Sequence, residues 1–356
     1  MKTTDFDYDL PAELIAQHPP VARDAARMLV LDPQANALAH ATIRDLPLYL
    51  DPGDLLVLND SRVLPSRLVG RRDDGGEAEV LLLRRVEHQR DCWEALLRPG
   101  RRLPAGARVR FANSDLLVSV EERGADRAVV RLNGAADPLL EIRRIGQMPT
   151  PPYIKQQLED AERYQTVFAR EEGSAAAPTA GLHFTPQLLA AVRDRGVKVA
   201  FLTLHIGLDT FRPIRVDDPR RHPIHQEWYR LDQTAATAIN DTRLSGKRVV
   251  AVGTTCVRVL ESAGDGDGVQ PGEGWTDLFI LPGHRFRVVD AMLTNFHLPK
   301  STLLMLVSAF AGRERVLDAY REAIARRYRF YSFGDCMFIT GRSPQPALRQ
   351  RGRERE

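Results

Sequence analysis

Cysteine is nearly absent from this 356-residue chain: Cys92, Cys256 and Cys336 are scattered, odd in number and form no C-x-x-C pair. That speaks against a disulfide framework or a structural zinc site and reads as a reduced, cytoplasmic chain. Long apolar runs are missing too. The longest, Leu303 to Val307 and a little beyond, falls far short of the ~18 residues a membrane helix needs. Nor does Met1-Lys2-Thr3-Thr4-Asp5 lead into an apolar signal core, so no signal peptide is expected. Lysine is scarce: five of the fifty basic residues are Lys and forty-five are Arg. A G+C-rich genome is the expected cause of that bias. Its consequence is still physical, because Arg makes bidentate phosphate contacts and stacks on bases, so local Arg clusters could hold RNA. The net charge of +3 does not by itself point to nucleic acid. Two nucleotide-binding signatures are also lacking. No G-x-G-x-x-G follows a predicted strand, and "LPKST" (298–302) lacks the first Gly of G-x-x-x-x-G-K-[ST].

What is present is the make-up of a globular protein, 43% hydrophobic and 27% charged. The length suits two domains of roughly 100–200 residues each. Residues 66–148 differ from their flanks. Short β-rich runs ("EAEVLLLRRVE", "DCWEALLRP", "ARVRF", "LLVSVEER", "RAVVRL") alternate with "DDGG", "HQRD", "PGRRLPAG", "NSD" and "RGAD", the pattern of an antiparallel sheet or small barrel. "MPTPPY" (148–153) closes that segment as a stiff exit. Elsewhere helices and strands alternate. "TPQLLAAVRDRG" (185–196) predicts a helix capped by Thr185, with Pro186 in its first turn and Gly196 at its end. Another runs from Asp232 to about Ser245, and "STLLMLVSAFAG" and "RERVLDAYREAIARRY" give two more. "VKVAFLTLHIG", "TDLFIL", "FRVVDAMLTNF" and "CMFIT" read as strands. The expected fold class is therefore α/β. A layered α/β/α domain (1–65 and 149–342) surrounds a largely parallel sheet and is interrupted by an inserted antiparallel β-barrel domain (66–148). The tail, 343–356, is polar and charged and is expected to be disordered.

In open α/β sheets ligands bind beyond the carboxyl ends of the strands. Three polar motifs fall there. "LTLHIGLDTF" puts His205, Asp209 and Thr210 just past a strand. In "VGTTCVRVLES", Gly253, Thr254 and Thr255 open a helix whose free N–H groups could hold an anion, and Arg258 and Glu261 follow at three-residue spacings. The third is "LTNFHLPKST" (293–302), whose Thr294, Asn295, His297 and Ser301 interrupt two core-forming stretches. Buried polar groups are costly unless hydrogen-bonded, so this break is either a capped turn or a binding site. Ser301 reads as a helix cap, with a substrate contact as the alternative. A surface ion pair is the commoner fate of residues spaced like Arg258 and Glu261. Six of the nine histidines lie between 183 and 297, and His183, His205 and His297 stand beside Gly, Thr or Asn at strand or loop ends. In "HPIHQEW", His222, His225 and Glu227 have the chemistry of metal ligands, although a solvated loop is the preferred reading.

Together these segments resemble one family. "NDSRVLPSRL", "MPTPPYI", "RYQTVFA", "APTAGLHFT", "TLHIGLDTFRPI", "VGTTCVRVLES", "LTNFHLPKSTLLMLVSAFAG" and "YRFYSFGDCM" occur in the order seen in the S-adenosylmethionine:tRNA ribosyltransferase-isomerases of queuosine synthesis. The similarity runs from "FDYDLPAELIAQHP" to about Thr340. Departures are small: Asp209 where Gly is expected, Thr150 for an apolar residue, Ile224 and Gln226 around His225, and Cys256 for Ser. The resemblance implies a monomeric cytoplasmic enzyme with no permanent cofactor and no metal. Its partners would be tRNA and S-adenosylmethionine, the latter consumed as co-substrate. The reaction implied is transfer and isomerisation of the ribosyl moiety onto 7-aminomethyl-7-deazaguanine at the tRNA wobble position, giving epoxyqueuosine and releasing adenine and methionine.

That chemistry makes demands on side chains. The sulfonium acidifies the neighbouring C5′–H, and a base must remove the proton; His suits, with an ordinary pKa of ~6.5. The leaving adenine needs a proton or hydrogen bond, the attacking amine must be neutral, and the methionine carboxylate wants Arg or helix N–H groups. On this basis His205 or His183 is expected as base, and Asn295 and His297 at the purine or ribose. Gly253, Thr254, Thr255 and Arg258 would take the methionine end, with Thr210 and Ser301 as further substrate contacts. Asp60, Arg62, Arg67, His225 and Glu227 would meet the anticodon loop. Two other classes remain for comparison. A tRNA methyltransferase would use the same co-substrate but usually shows a Gly-rich loop after its first strand. A non-catalytic RNA-binding protein would need only the barrel and a basic face, which leaves the polar strand ends unexplained.

Overall fold

A computed structural model describes residues 1–86, 89, 91–156, 158–207, 214–265 and 268–341. Asp209, Thr210 and the 343–356 tail lie outside them.

The chain opens with a hairpin, β1 (Arg27–Asp32) and β2 (Ala37–Thr42), and then enters the interior as β3 (Leu55–Asn59) and the short β4 (Ser61–Val63). Six strands follow: β5 (Arg67–Arg72), β6 (Glu77–Arg85), β7 (Cys92–Arg98), β8 (Arg108–Arg110), β9 (Leu117–Arg123) and β10 (Ala128–Asn133). They close into a barrel in the order β10-β7-β6-β5-β8-β9, with every pairing antiparallel. Strict alternation makes this possible. In β10 Ala128, Val130 and Leu132 point inward, where they meet Leu68, Val80, Ala95, Val109 and Val118. Closure leaves no exposed edge to aggregate. Helix α1 (Pro138–Ile145) adds Ile142 to the same core. Asp137 starts it, accepting from the N–H groups of Leu139 and Leu140. The sequence reading passed over α1, whose eight residues are too few for a clear helical period.

The second half supplies β11 (Glu171–Ser174), α2 (Pro186–Asp194), β12 (Lys198–Leu204), β13 (Glu227–Leu231), α3 (Gln233–Leu244), β14 (Val249–Val252) and α4 (Thr254–Ala263). After these come β15 (Gly272–Thr276), β16 (Ala291–Asn295), α5 (Thr302–Ala311), α6 (Arg313–Ala325) and β17 (Cys336–Ile339). Nine strands form one sheet, β15-β13-β12-β3-β14-β16-β17-β1-β2, while β11 pairs with β4 alone. Both faces are covered. Leu55 and Val57 of β3 pack under the side carrying α3 to α6, and Leu56 and Leu58 under the side carrying α2 and the 43–49 turn. A strand buried on both faces reads as a continuous apolar run, as "LLVL" does.

The sheet is less parallel than expected. The centre, β12-β3-β14-β16, is parallel, and so is the β17–β1 pair; but β17 runs against β16, and both ends finish antiparallel. A single crossover helix returns the chain to its starting end and gives a parallel strand. Between β16 and β17 there are two helices joined by Gly312 alone, so the chain comes back reversed. The expected strand over 276–281 is also not one: β15 ends at Thr276, and Ile280 is buried by packing rather than by pairing.

Candidate active site

The carboxyl ends of β14 and β16 open into a cleft lined by Gly253–Thr255, Thr294–His297, Pro178–Ala180, Tyr331 and Ser332. Gly253 has a φ of 88°, a left-handed conformation that favours glycine, and its N–H donates to Leu293 O at 2.7 Å. This turn starts α4, whose first N–H groups have no partners within the helix, and Thr254 and Thr255 line the cleft. Asn295 is the hub of the opposite wall. Its Oδ1 accepts from the Thr179 hydroxyl at 2.9 Å, and its Nδ2 donates to Tyr331 O at 3.3 Å and lies 3.2 Å from His183 Nε2. One amide thus ties β16 to the 179–183 turn and to the 331–335 loop.

The histidines expected here take different roles. His183 is buried and holds Asn295 without lining the cleft, and burial pushes its pKa down to about 4. His297 does line the cleft. Its Nε2 is 2.8 Å from the Thr294 hydroxyl, its N–H donates to the Tyr320 hydroxyl oxygen at 2.9 Å, and burial pushes its pKa to about 3. Both rings are therefore neutral near pH 7. Ser301 is spent on the turn: its oxygen accepts from Leu304 N–H at 3.2 Å, and its hydroxyl donates to Leu298 O at 2.7 Å. "LTNFHLPKST" is thus both a capped turn at its end and a cleft wall at its start.

A second cavity, of about 380 Å³, lies between the barrel and the β13–β15 edge of the sheet. His205, just beyond β12, stacks on Trp228 at 5.0 Å between ring centroids with planes 20° apart. Its other edge faces Gly173, where an added Cβ would come within 2.7 Å of Nε2. Its Nδ1 is buried and meets no hydrogen-bond partner among the described residues. Burial is the main cause of a pKa lowered to about 4; Glu171 pulls the other way. Ile206 lines both this cavity and the first cleft, so the two adjoin.

Several expected contacts are corrected. Arg258 was expected at the methionine carboxylate and Glu227 at RNA; both are buried and paired with each other. Arg258 also donates to Leu278 O and Thr276 O at 3.1 Å each, and Glu227 accepts from Gly207 N–H at 2.8 Å. Nor does Arg258 pair with Glu261. The Glu261 carboxylate accepts from the N–H groups of Arg287, Val288 and Val289 at 2.8–3.0 Å. Burial alone would raise its pKa, but these bonds and His284 hold it below the usual value. The 276–289 segment crosses this face of α4, so the helix face expected at the surface is an interior one. Asp60 is likewise buried, accepting from Thr203 Oγ1 at 2.7 Å and Arg170 Nε at 2.6 Å, which removes it as an RNA contact.

Arg62 and Arg67 do line an open groove at the foot of the barrel, beside Arg143 and Lys155. His225 is exposed, at the rim of the tryptophan cavity, 3.3 Å from Arg127. Among the described residues no group of three or more His, Cys, Asp or Glu is placed to hold a metal, so His222, His225 and Glu227 do not form such a cluster. The sequence reading missed Thr179, Gly173 and the tryptophans. The chain has three Trp, and all three (Trp93, Trp228 and Trp275) line the His205 cavity. The rarity of Trp was visible beforehand; nothing in their spacing brings 93, 228 and 275 together.

Comparison with known proteins shows the family. The family described as queuosine biosynthesis protein matches residues 3–339. The S-adenosylmethionine:tRNA ribosyltransferase-isomerase of Symbiobacterium thermophilum is 56% identical over 344 residues, 95% of this chain and 100% of that one. Its counterpart from Moorella thermoacetica is 54% identical over 347 residues, with the same coverage. A crystal structure of S-adenosylmethionine tRNA ribosyltransferase from Thermotoga maritima matches with a TM-score of 0.55 at 38% identity, over 94% of this chain and 99% of that one. The chain belongs to this family of queuosine biosynthesis proteins, the S-adenosylmethionine:tRNA ribosyltransferase-isomerases.

Proposed function

We propose that the chain transfers and isomerises the ribosyl moiety of S-adenosylmethionine onto 7-aminomethyl-7-deazaguanine at the wobble position of tRNA. The product is epoxyqueuosine, and adenine and methionine leave. The observation that carries the reading is the meeting, at Ile206, of a polar cleft at the ends of β14 and β16 with a cavity holding His205. S-adenosylmethionine suits the cleft: among the described residues no Lys, Arg, Asp or Glu lines it, and the start of α4 offers N–H groups to the methionine carboxylate. Gly253, Thr254 and Thr255 take that end, and Asn295 and His297 the purine or ribose.

His205 is the favoured base for the C5′ proton. It is neutral, its Nδ1 is unpartnered among the described residues, and Trp228 and Gly173 fix its ring. His183 has the weaker claim, because its Nε2 faces Asn295. Residues 66–148 act as a barrel domain inserted in a catalytic domain of 1–65 and 149–342, and Arg62, Arg67 and His225 meet the RNA. The reading carries with it a monomeric, cytoplasmic enzyme that consumes S-adenosylmethionine and keeps no permanent cofactor. Adenine release from labelled S-adenosylmethionine, with and without RNA bearing 7-aminomethyl-7-deazaguanine, tests it. RNA-dependent adenine and methionine are expected; S-adenosylhomocysteine in their place would make the chain a methyltransferase.

A further inference from the structure

The cavity beside His205 has a lining unlike that of the adjoining cleft. Trp228 and Trp275 are direct cross-strand partners on β13 and β15, so their indoles share one face of the sheet. Trp93 of β7 faces them from the barrel, opposite its own cross-strand partner Arg85. Three guanidinium groups stand around these rings. Arg84 lies over Trp275 at 4.9 Å, Arg85 over Trp93 at 5.4 Å, and Arg127 reaches His225. Among the described residues Glu94 holds both Arg84 and Arg127, which orients the two guanidinium groups at the cavity. At about 380 Å³ the cavity falls within the ordinary range for small-ligand sites, roughly 300–1,000 Å³.

Flat aromatic walls with Arg at the rim are the chemistry of an unstacked nucleobase and its flanking phosphates. S-adenosylmethionine has no phosphate and carries its own positive charges, so it gains little here. We infer that the target nucleotide of the RNA is turned out of its loop into this three-tryptophan recess. The base stacks on indole, and its neighbouring phosphates lie against Arg84, Arg85 and Arg127. Enzymes that act on a base commonly extract it in this way. The inference rests on the reaction proposed above, and it gives the residues sequence reasoning missed a part in it. A base held here presents its exocyclic aminomethyl group toward Ile206 and His205, where the adjoining cleft would deliver the ribose carbon.

The test uses the full chain and an anticodon stem–loop carrying 7-aminomethyl-7-deazaguanine at the wobble position. Binding should quench tryptophan emission, and an otherwise identical loop with an abasic wobble site should quench little. Trp275→Ala should weaken stem–loop binding roughly 5- to 150-fold, the range of one base–aromatic stack. Its S-adenosylmethionine affinity should stay within about twofold. Trp275→Phe should recover part of the loss and serves as the folding control, and Arg85→Gln should weaken RNA binding while leaving the co-substrate alone. If Trp275→Ala weakens S-adenosylmethionine and spares the RNA, the recess holds adenine and the inference is overturned. Equal quenching by the abasic loop overturns it too. Failure of the reaction itself is a separate result: RNA bound in the recess with no adenine released would sink the proposed function and leave the recess standing.

Discussion

At the scale of single residues, neutral histidine is the common theme. His205, the proposed base, can take a proton only while neutral, and its pKa is lowered to about 4. Activity should therefore fall as pH drops through about 4, with no limb near the ordinary ~6.5 from this group. Single-turnover adenine release followed across pH would show it, and a limb near ~6.5 in the parent chain would contradict a base with this lowered pKa. His205→Ala itself should abolish release with both substrates still bound within a few-fold. His183 and His297 have lowered folded-state values, about 4 and about 3, so the unfolded chain binds more protons below ~6.5. Stability should be complete above about pH 6.5 and decline as pH falls toward 4, by on the order of a few kcal/mol. Melting measured along a pH series checks the sign: an increase on acidification would mean that the two rings are charged in the fold.

At the scale of elements, the turn after β16 divides its labour. Ser301 caps α5 and lies outside the lining of the cleft. Ser301→Ala should lower stability by about 0.5–2 kcal/mol and leave turnover per folded molecule close to the parent's. Denaturant titration paired with an activity assay separates the two, and lost turnover at unchanged stability would return Ser301 to the substrate. The caps were legible because they are local: Thr185, Asp232 and Ser301 each accept from an N–H three residues on. So were the barrel strands, through their alternation. Arg258 and Glu261 were misread because a helix face cannot report what later crosses it.

At the scale of the whole molecule, the barrel matters through where it is set. It brings Trp93, Arg84 and Arg127 against Trp228, Trp275 and His225 of the sheet edge. A substrate gripped through phosphates releases counterions, so the logarithm of RNA affinity should fall linearly with the logarithm of salt concentration. The slope should be about −0.7 to −0.9 per phosphate contact. Affinity for S-adenosylmethionine should change far less. Titrations of both ligands over a salt series test this, and a flat response for RNA would remove phosphate contacts from the account.

The sequence by itself determined the family, the barrel and α/β classes, most helix starts, and the polar breaks at the strand ends. These follow from short-range periodicity, from capping chemistry and from motifs contiguous in the chain. Tertiary structure alone decided which polar groups face one another. It buried Asp60 against Arg170 and paired Arg258 with Glu227. It turned β17 against β16 by placing two helices between them, and it gathered Trp93, Trp228 and Trp275 around one cavity. Such contacts join residues tens to hundreds of positions apart, and no local preference of the chain encodes which distant group will fill a given hydrogen bond.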